Sequence, residues 1–346
     1  MTSLRTAGIH HSTMVSSDIN RSLSFYRDFL GLALVARSPN ADVPDAAHLY
    51  FGSATATPGS LLSLVEWPGA PKGRWGIGGV HHLALGVESR DALLRWKRWL
   101  GDHGVPAAGP YDRGYFVSLY FSDPDGQVLE IATRGPGYAI DEPADRLGER
   151  PLVPPGAQLR GARDEEVIRE TTWPEPVEAI SRDMMLQGIH HISGITDDLV
   201  RANEFYEAAL GLRLVKQSVN QDDPRIPHHF WARYENGVVA PHSGWTLFGW
   251  PAQYKRAHAG TGQTHHVSFR ARDAEEQLAW RDHLLSLGVE VSPVVDRTHF
   301  SSIHFRAPDG QSLSIATDGP GFGANGESGE RIHSLQMEQM PDAVEH

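Results

Sequence analysis

The chain contains no cysteine. That absence removes disulfides, thiolate nucleophiles and sulfur-ligated metals, and leaves histidine and carboxylate chemistry. No apolar run reaches the roughly 20 residues of a membrane-spanning helix, and Met1-Thr2-Ser3-Leu4-Arg5 leads towards a strand without a signal-peptide core. A cytoplasmic protein without a membrane partner is therefore expected. Basic residues are scarce: 31 Lys+Arg stand against 43 Asp+Glu, a formal net charge of −12, which argues against a nucleic-acid partner. What the chain does have is length and histidine. Its 346 residues, 40% hydrophobic, suffice for two ordinary domains with a core each, and 19 histidines are available for chemistry.

Internal similarity sets the architecture. Gly-Xaa-His-His or its near equivalent occurs four times, at Gly8-Ile9-His10-His11, Gly79-Val80-His81-His82, Gly188-Ile189-His190-His191 and Gln263-Thr264-His265-His266. The second histidines are 71, 109 and 75 residues apart (82 − 11, 191 − 82, 266 − 191), so two similar halves, each of two modules, flank a longer connection. In module one a strand-like Gly8 to Val15 precedes Asp18, which caps a helix carrying Leu23, Tyr26, Phe29 and Leu30 on one face and ended by Gly31. Strand-like runs follow at Leu32 to Ala36, His48 to Phe51 and Ser60 to Trp67. Module three repeats the order, with a helix from about Leu199 to Leu210 stopped by Gly211.

Modules two and four match each other more closely, and their closing hairpins share Pro-Asp-Gly-Gln at Pro124 to Gln127 and Pro308 to Gln311. Proline presets one torsion of such a turn and glycine accepts the positive one. The expected fold class is α+β, with four βαβββ modules paired into two open barrels. The expected divisions are residues 7–136 for the first two-module half, 137–186 for a connecting segment over the preceding half, 187–322 for the second half and 323–346 for a loosely ordered tail.

Alternate side chains of a strand face the same way, so one histidine of each pair enters a barrel. His82 opens module two, and Glu130 lies on its last strand between Leu129 and Ile131, which face the helix. A carboxylate turned inward among apolar strands needs a partner, either a metal ion or a buried salt bridge. Two neutral imidazoles and one carboxylate that leave positions open form the facial triad suited to non-haem Fe(II). His82 and Glu130 supply two of the three, and the third ligand has more than one candidate. Arg113 lies 17 residues before Glu130 and Tyr120 lies 10 before it (130 − 113, 130 − 120); the same offsets from Ser314 give Arg297 and His304. Module four thus keeps the arginine, replaces tyrosine by histidine and lacks the carboxylate, which predicts one complete metal site and one degenerate copy. The cluster His228-His229 with His242 and His258 reads as surface or loop histidine.

Taken together, Asp112-Arg113-Gly114-Tyr115-Phe116, Tyr120, Glu130, Gly188 to Ser193 and Gly211 to Pro224 give the chain a resemblance over nearly its whole length. It resembles the vicinal oxygen chelate (glyoxalase/bleomycin resistance/extradiol dioxygenase) superfamily, and in detail the hydroquinone and chlorohydroquinone ring-cleaving dioxygenases. The order of modules differs from that group: module two and the segment after it look like the group's last module and tail, and module three looks like its first. If module pairing follows the group, module two pairs with module three and the metal ligands are His82, Glu130 and His191. If modules pair within a half, as in catechol-cleaving relatives, the third ligand is His11.

The resemblance implies an Fe(II)-dependent extradiol-type dioxygenase that takes a small aromatic substrate, a hydroquinone or related diphenol, together with O2. Carried over by position, His81, Arg113, Tyr120, His190 and Ser193 surround the ring and the oxygen. Two alternatives on the same scaffold are a glyoxalase-like lyase or isomerase using Mn, Zn, Ni or Co, and a non-catalytic protein that binds an aromatic ligand or antibiotic. A homo-oligomer is compatible with all three, since two-module relatives dimerise to complete their sites and a four-module chain does not have to.

Overall fold

The computed structural model describes residues 4–322 apart from 41, 42, 44 and 54; the tail expected at 323–346 lies outside the described residues. Module one runs β1 (Ile9–Ser16), α1 (Ile19–Leu23), β2 (Ala33–Pro39), β3 (Ala47–Gly52) and β4 (Leu61–Glu66). Asp18 caps α1 by accepting from the backbone N–H groups of Asn20 and Arg21. The helix then widens into a π-turn over Ser24–Phe29, a departure from the regular helix expected there. Module two is β5 (Val80–Val87), α2 (Arg90–Asp102), β6 (Ala108–Asp112), β7 (Val117–Ser122) and β8 (Val128–Thr133). After α3 (Glu165–Glu170), module three supplies β9 (Ile189–Thr196), α4 (Leu199–Leu210), β10 (Arg213–Val219), β11 (Pro227–Ala232), a small hairpin of β12 (Tyr234–Glu235) and β13 (Val238–Val239), and β14 (Gly244–Gly249). Module four closes with β15 (Thr264–Ala271), α5 (Ala274–Ser286), β16 (Val295–Asp296), β17 (Phe300–Arg306) and β18 (Ser312–Pro320). Gly211 ends α4 at φ 62°, a left-handed turn that only glycine adopts without cost. No helix among the described residues is long and apolar enough to cross a membrane.

Two eight-stranded sheets result, and neither is built from one sequence half. One has the order β16-β17-β18-β15-β1-β4-β3-β2, joining modules four and one; the other has the order β10-β11-β14-β9-β5-β8-β7-β6, joining modules three and two. Each is closed at its centre by an antiparallel pair of first strands, β1 with β15 and β5 with β9. The helices cover the outer faces, where Leu93, Trp96 and Leu100 of α2 pack with Leu129 and Ile131 of β8 in one continuous apolar core that also takes in Trp280 of α5. Burying each such side chain contributes about 1.5–3 kcal/mol. The remaining strand positions line the concave interiors, where polar side chains stand among a smaller apolar set that includes Ala84, Ala132 and Phe230.

Residues 137–187 hold modules two and three together, instead of lying over the preceding half alone. Trp96 donates its indole N–H to the Met184 carbonyl at 2.7 Å, and Lys97 Nζ donates to the carbonyls of Ile168, Arg169 and Thr171. On the other side a strap over residues 148–160 follows the edge strand β10: Leu152 N–H donates to the Gln217 carbonyl at 2.9 Å and Arg160 N–H to the Gln221 carbonyl at 2.8 Å. The strap is anchored by Lys216, whose fully buried ammonium lies 2.7 Å from Glu142 and 2.6 Å from Asp141. Lys216→Met is expected to lower stability by about 3–5 kcal/mol, because it strands a buried carboxylate. Thermal unfolding measures that loss, and limited proteolysis within residues 143–163 should quicken as the strap detaches.

Candidate metal centre

Strand register brings three donors to one point inside the sheet of modules two and three. His82 stands opposite Ser193 across β5 and β9, while Ala84 stands opposite His191 and, on its other side, beside Glu130 of β8. The small Ala84 side chain thus lies between two long ones that reach over it. His82 Nε2 and His191 Nε2 are 3.3 Å apart, and Glu130 Oε2 lies 2.9 Å from the first and 3.3 Å from the second. All three residues are at most 1% exposed. Among the described residues this is the one group of three histidine or acidic side chains whose ligand atoms converge in this way.

The donor set fits a divalent cation. Glu130 Oε1 accepts a hydrogen bond from Ser118 Oγ at 2.6 Å, but Oε2 is buried with no aligned donor. An uncompensated carboxylate oxygen in a protein interior is costly. A metal about 2.0–2.2 Å from each of three donors on adjacent coordination positions requires donor separations of about 3 Å, which the three edges match. Each ligand candidate is also held from behind: His82 Nδ1 meets His81 Nδ1 at 2.8 Å, and His191 Nδ1 meets His190 Nδ1 at 2.8 Å. Within each pair one nitrogen donates and one accepts. A histidine ligating through Nε2 must carry its proton on Nδ1, so the neighbour accepts it and fixes the tautomer.

Electrostatics keep the set ready for a cation. Burial by itself pushes the Glu130 carboxyl up, yet the imidazoles of His191 and His82 outweigh it and hold the carboxyl well below its usual range. Burial lowers His82, against the opposing pull of Glu130, so this imidazole is neutral near pH 7. Arg113 sits close by; burial disfavours its charge, but Tyr120 and Glu130 keep it firmly protonated. Its Nη2 donates to the Tyr120 hydroxyl at 3.1 Å and its Nη1 to Gln221 Oε1 at 2.6 Å. Gln221, 2% exposed, in turn donates to the Asp112 carbonyl at 2.7 Å.

Arg113, Tyr120 and His191 line a small chamber of about 20 Å³ together with His228, Phe248 and Pro154 of the strap. His81 and His190 do not line it: they stand behind the two central histidines, against Trp75 and Phe116 respectively. Ser193 is also out of the chamber, with its Oγ 2.5 Å from Thr246 Oγ1. His11 lies in the other sheet, opposite Ser268, and not beside Glu130.

His228 corrects the expectation that this residue is surface or loop histidine. It is 9% exposed, stacks on Phe248 at 3.9 Å between ring centroids and meets Thr246 Oγ1 at 2.9 Å through Nε2. Burial and then the neighbouring His82 and His191 hold it neutral. Of its companions, His258 is exposed, whereas His229 and His242 are half-buried. The repeat carried a signal for His228 that composition did not. It follows His191 by 37 residues, and His48 follows His11 by 37 (228 − 191, 48 − 11).

The second sheet places Ser314 where Glu130 stands, beside Ser268, with His304 across from it. Hydroxyl groups face two of its histidines: His11 Nε2 meets Ser268 Oγ at 3.1 Å, His266 Nε2 meets Thr13 Oγ1 at 3.3 Å, and Thr13 meets Ser63 at 2.8 Å.

The Glyoxalase family, described as the Glyoxalase/Bleomycin resistance protein/Dioxygenase superfamily, matches residues 8–131 and 188–315 of the chain. A Bacillus subtilis (strain 168) protein named "Putative ring-cleaving dioxygenase MhqA" is 28% identical over 346 residues, covering 99% of this chain and 96% of that protein. Its fellow "Putative ring-cleaving dioxygenase MhqO" is 28% identical over 96% of this chain and 91% of its own. The crystal structure of a "putative dioxygenase" from Bacillus subtilis subsp. subtilis str. 168 superposes with a TM-score of 0.72 at 28% identity, covering 95% of this chain and 90% of that one.

Two expectations follow. Glu130→Ala should weaken binding of a divalent ion at least ~100-fold by anaerobic calorimetry, since it removes the one anionic donor. Acid should also destabilise the metal-free protein. Burial lowers His10 to about 4 and His48, His81 and His190 to about 3. Between those values and the unfolded value near 6.5 the unfolded chain binds more protons, so stability is complete above about pH 6.5 and is lost as pH falls below it. The expected loss at pH 5 is on the order of 1–2 kcal/mol per buried histidine, measured by urea midpoints at pH 5 and 7.5.

Proposed function

Because this chain belongs to the Glyoxalase/Bleomycin resistance protein/Dioxygenase superfamily, we propose that it is a metal-dependent, extradiol-type ring-cleaving dioxygenase acting on a hydroquinone or related diphenol with O2. The observation that carries this reading is the convergence of two buried imidazole nitrogens and one buried carboxylate oxygen beside Arg113, Tyr120 and His228. The near full-length similarity to proteins named for ring cleavage supports it. Fe(II) is the metal proposed, because two histidines and one carboxylate on one face leave adjacent positions open for two further ligands.

His82, His191 and Glu130 would hold the ion. When bound, it supplies Lewis acidity towards a phenolic oxygen and a place for O2 next to the ring. The remaining work falls to the chain's own groups. Neutral His82 presents a lone pair and no competing proton. Tyr120, whose phenol burial raises above its ordinary value, keeps its proton and can donate it to an oxygen of the substrate or of O2. Arg113 orients that hydroxyl and sets a fixed positive charge opposite developing negative charge, in an interior where such a charge acts strongly. His228, neutral and stacked on Phe248, offers its ring to the flat face of an aromatic substrate. His81 and His190 hold the orientation of the central histidines from behind and need not touch the substrate.

Oxygen uptake tests the reading. Protein purified without air and loaded with Fe(II) is expected to consume O2 with hydroquinone, methylhydroquinone or chlorohydroquinone while the aromatic absorbance disappears. Tyr120→Phe is expected to lower kcat by about 10- to 100-fold while retaining the metal. Protein that holds one iron per chain and takes up no oxygen with any of these diphenols or with catechol would overturn it, and oxygen-independent turnover would point to lyase chemistry.

A further inference from the structure

The chamber at the metal centre is too small for the substrate it is proposed to take. Its volume is about 20 Å³, room for about one water molecule, whereas a cavity holding one benzene ring measures ~150 Å³. Some part of the wall must give way for any aromatic ring to enter. A second cavity of about 440 Å³ lies next to it, within the size range of small-molecule sites. The two cavities share two lining residues, Tyr115 and Phe116; the small one continues to His191 and the large one to its neighbour His190. The large cavity is walled by the rings of Tyr115, Phe116 and Tyr138, with Leu147, Val239 and Ala240 completing its apolar surface and the cationic Arg134 among its lining residues.

The alternative entrance is the strap carrying Pro154. Lifting it breaks hydrogen bonds from Leu152 to Gln217, from Gln217 to Gly148, from Ser218 to Leu152 and from Arg160 to Gln221. Moving the ring of Phe116 breaks none. Tyr115 packs against Tyr138 at 5.7 Å and Phe230 at 5.2 Å between ring centroids, whereas Phe116 lies 5.0 Å from the ring of His190 and 5.3 Å from that of His191. Of the two shared wall residues, Phe116 is the one that stands between His190 of the outer cavity and His191 of the inner chamber.

We propose that the 440 Å³ cavity is an admission site for a single-ring phenol, and that the phenol passes from it to the metal centre by displacement of the Phe116 ring. The site takes a flat ring between aromatic walls, and Arg134 favours a ligand carrying an oxygen acceptor or a carboxylate over a cationic one. The proposal rests on the dioxygenase reading for the identity of the substrate, but its test does not need turnover.

Phenol itself is the probe, titrated into the Fe(II)-loaded full chain without oxygen. Ala240→Trp fills the outer cavity without touching the inner chamber. It is expected to weaken phenol binding at least tenfold, and to lower kcat/KM for hydroquinone at least tenfold with kcat within twofold of wild type. Phe116→Ala, which joins the two cavities, is expected to raise the rate at which phenol associates with the Fe(II)-loaded protein without oxygen, and a rate that is unchanged or lower would count against passage past this ring. Wild-type phenol affinity and kcat/KM in Ala240→Trp would overturn the proposal. Should that variant fail to fold, NMR contacts from bound phenol to the unmodified protein decide: contacts to Tyr138 and Val239 support the admission site, and contacts confined to His228 and Phe248 reject it. Absence of oxygen uptake with every diphenol would defeat the dioxygenase reading alone, since the anaerobic titration still reports on the outer cavity.

Discussion

The antiparallel pairing of β5 with β9 is the constraint on which the rest of the site depends. It is the contact that puts modules from different halves of the chain into one sheet. It also sets the register in which Ala84 lies between His191 and Glu130. A slip of one residue would turn every inward side chain of β5 to the helix layer, exchanging His82 for His81 and removing the small residue over which the two long side chains meet. The apolar layer under α2 and α4 resists that slip. Leu83 and Leu85 on β5 and Ile189 and Ile192 on β9 are fully buried in it, and their exchange for histidine and alanine would lose far more burial free energy than any new contact could return.

Much of this was legible locally. The His-His pairs, the Pro-Asp-Gly turns and the Asp caps are short-range signals with mechanisms, and they located the four modules, the ends of α4 and the pair His82 and Glu130. The choice of third donor was not local. His11 and His191 sit in the same motif at the same place in their modules, and only the pairing of distant strands brings one of them to Glu130. The same limit explains His228. In the run Pro227-His228-His229-Phe230 either histidine could face inward by alternation, and the face was settled by the pairing of β11 with β14, His228 opposite Phe248. The π-turn after α1 and the double attachment of residues 137–187 had no short-range signature at all.

The two sheets show what a single carboxylate changes. With Glu130 present, three donors converge and Glu130 Oε2 is buried without a hydrogen-bond partner. With Ser314 in its place, the imidazoles of His11 and His266 find hydroxyl partners. The first arrangement leaves a buried carboxylate oxygen without a donor, which is costly without a cation, whereas the second carries no such charge. Burial lowers His82 in the one sheet and His11 and His266 in the other, so the difference between the sheets lies in the one fixed negative charge.

That charge count bears on the substrate under the proposed function. A divalent ion with Glu130 leaves one net positive charge at the metal, and Arg113, within hydrogen-bonding distance of Tyr120, adds a second. None of the residues lining the inner chamber is acidic, and the nearby Asp141 and Glu142 are already engaged by Lys216. A desolvated site with surplus positive charge favours ligands that bring negative charge with them. A diphenol would do so by releasing a proton to bulk solvent as it binds, since the phenolate would be favoured beside a divalent ion and Arg113. Neutral Tyr120, whose own ionisation burial opposes, leaves that role to the substrate. Under the proposed function the site would therefore favour a ring whose hydroxyl can ionise over an aromatic ether of the same shape.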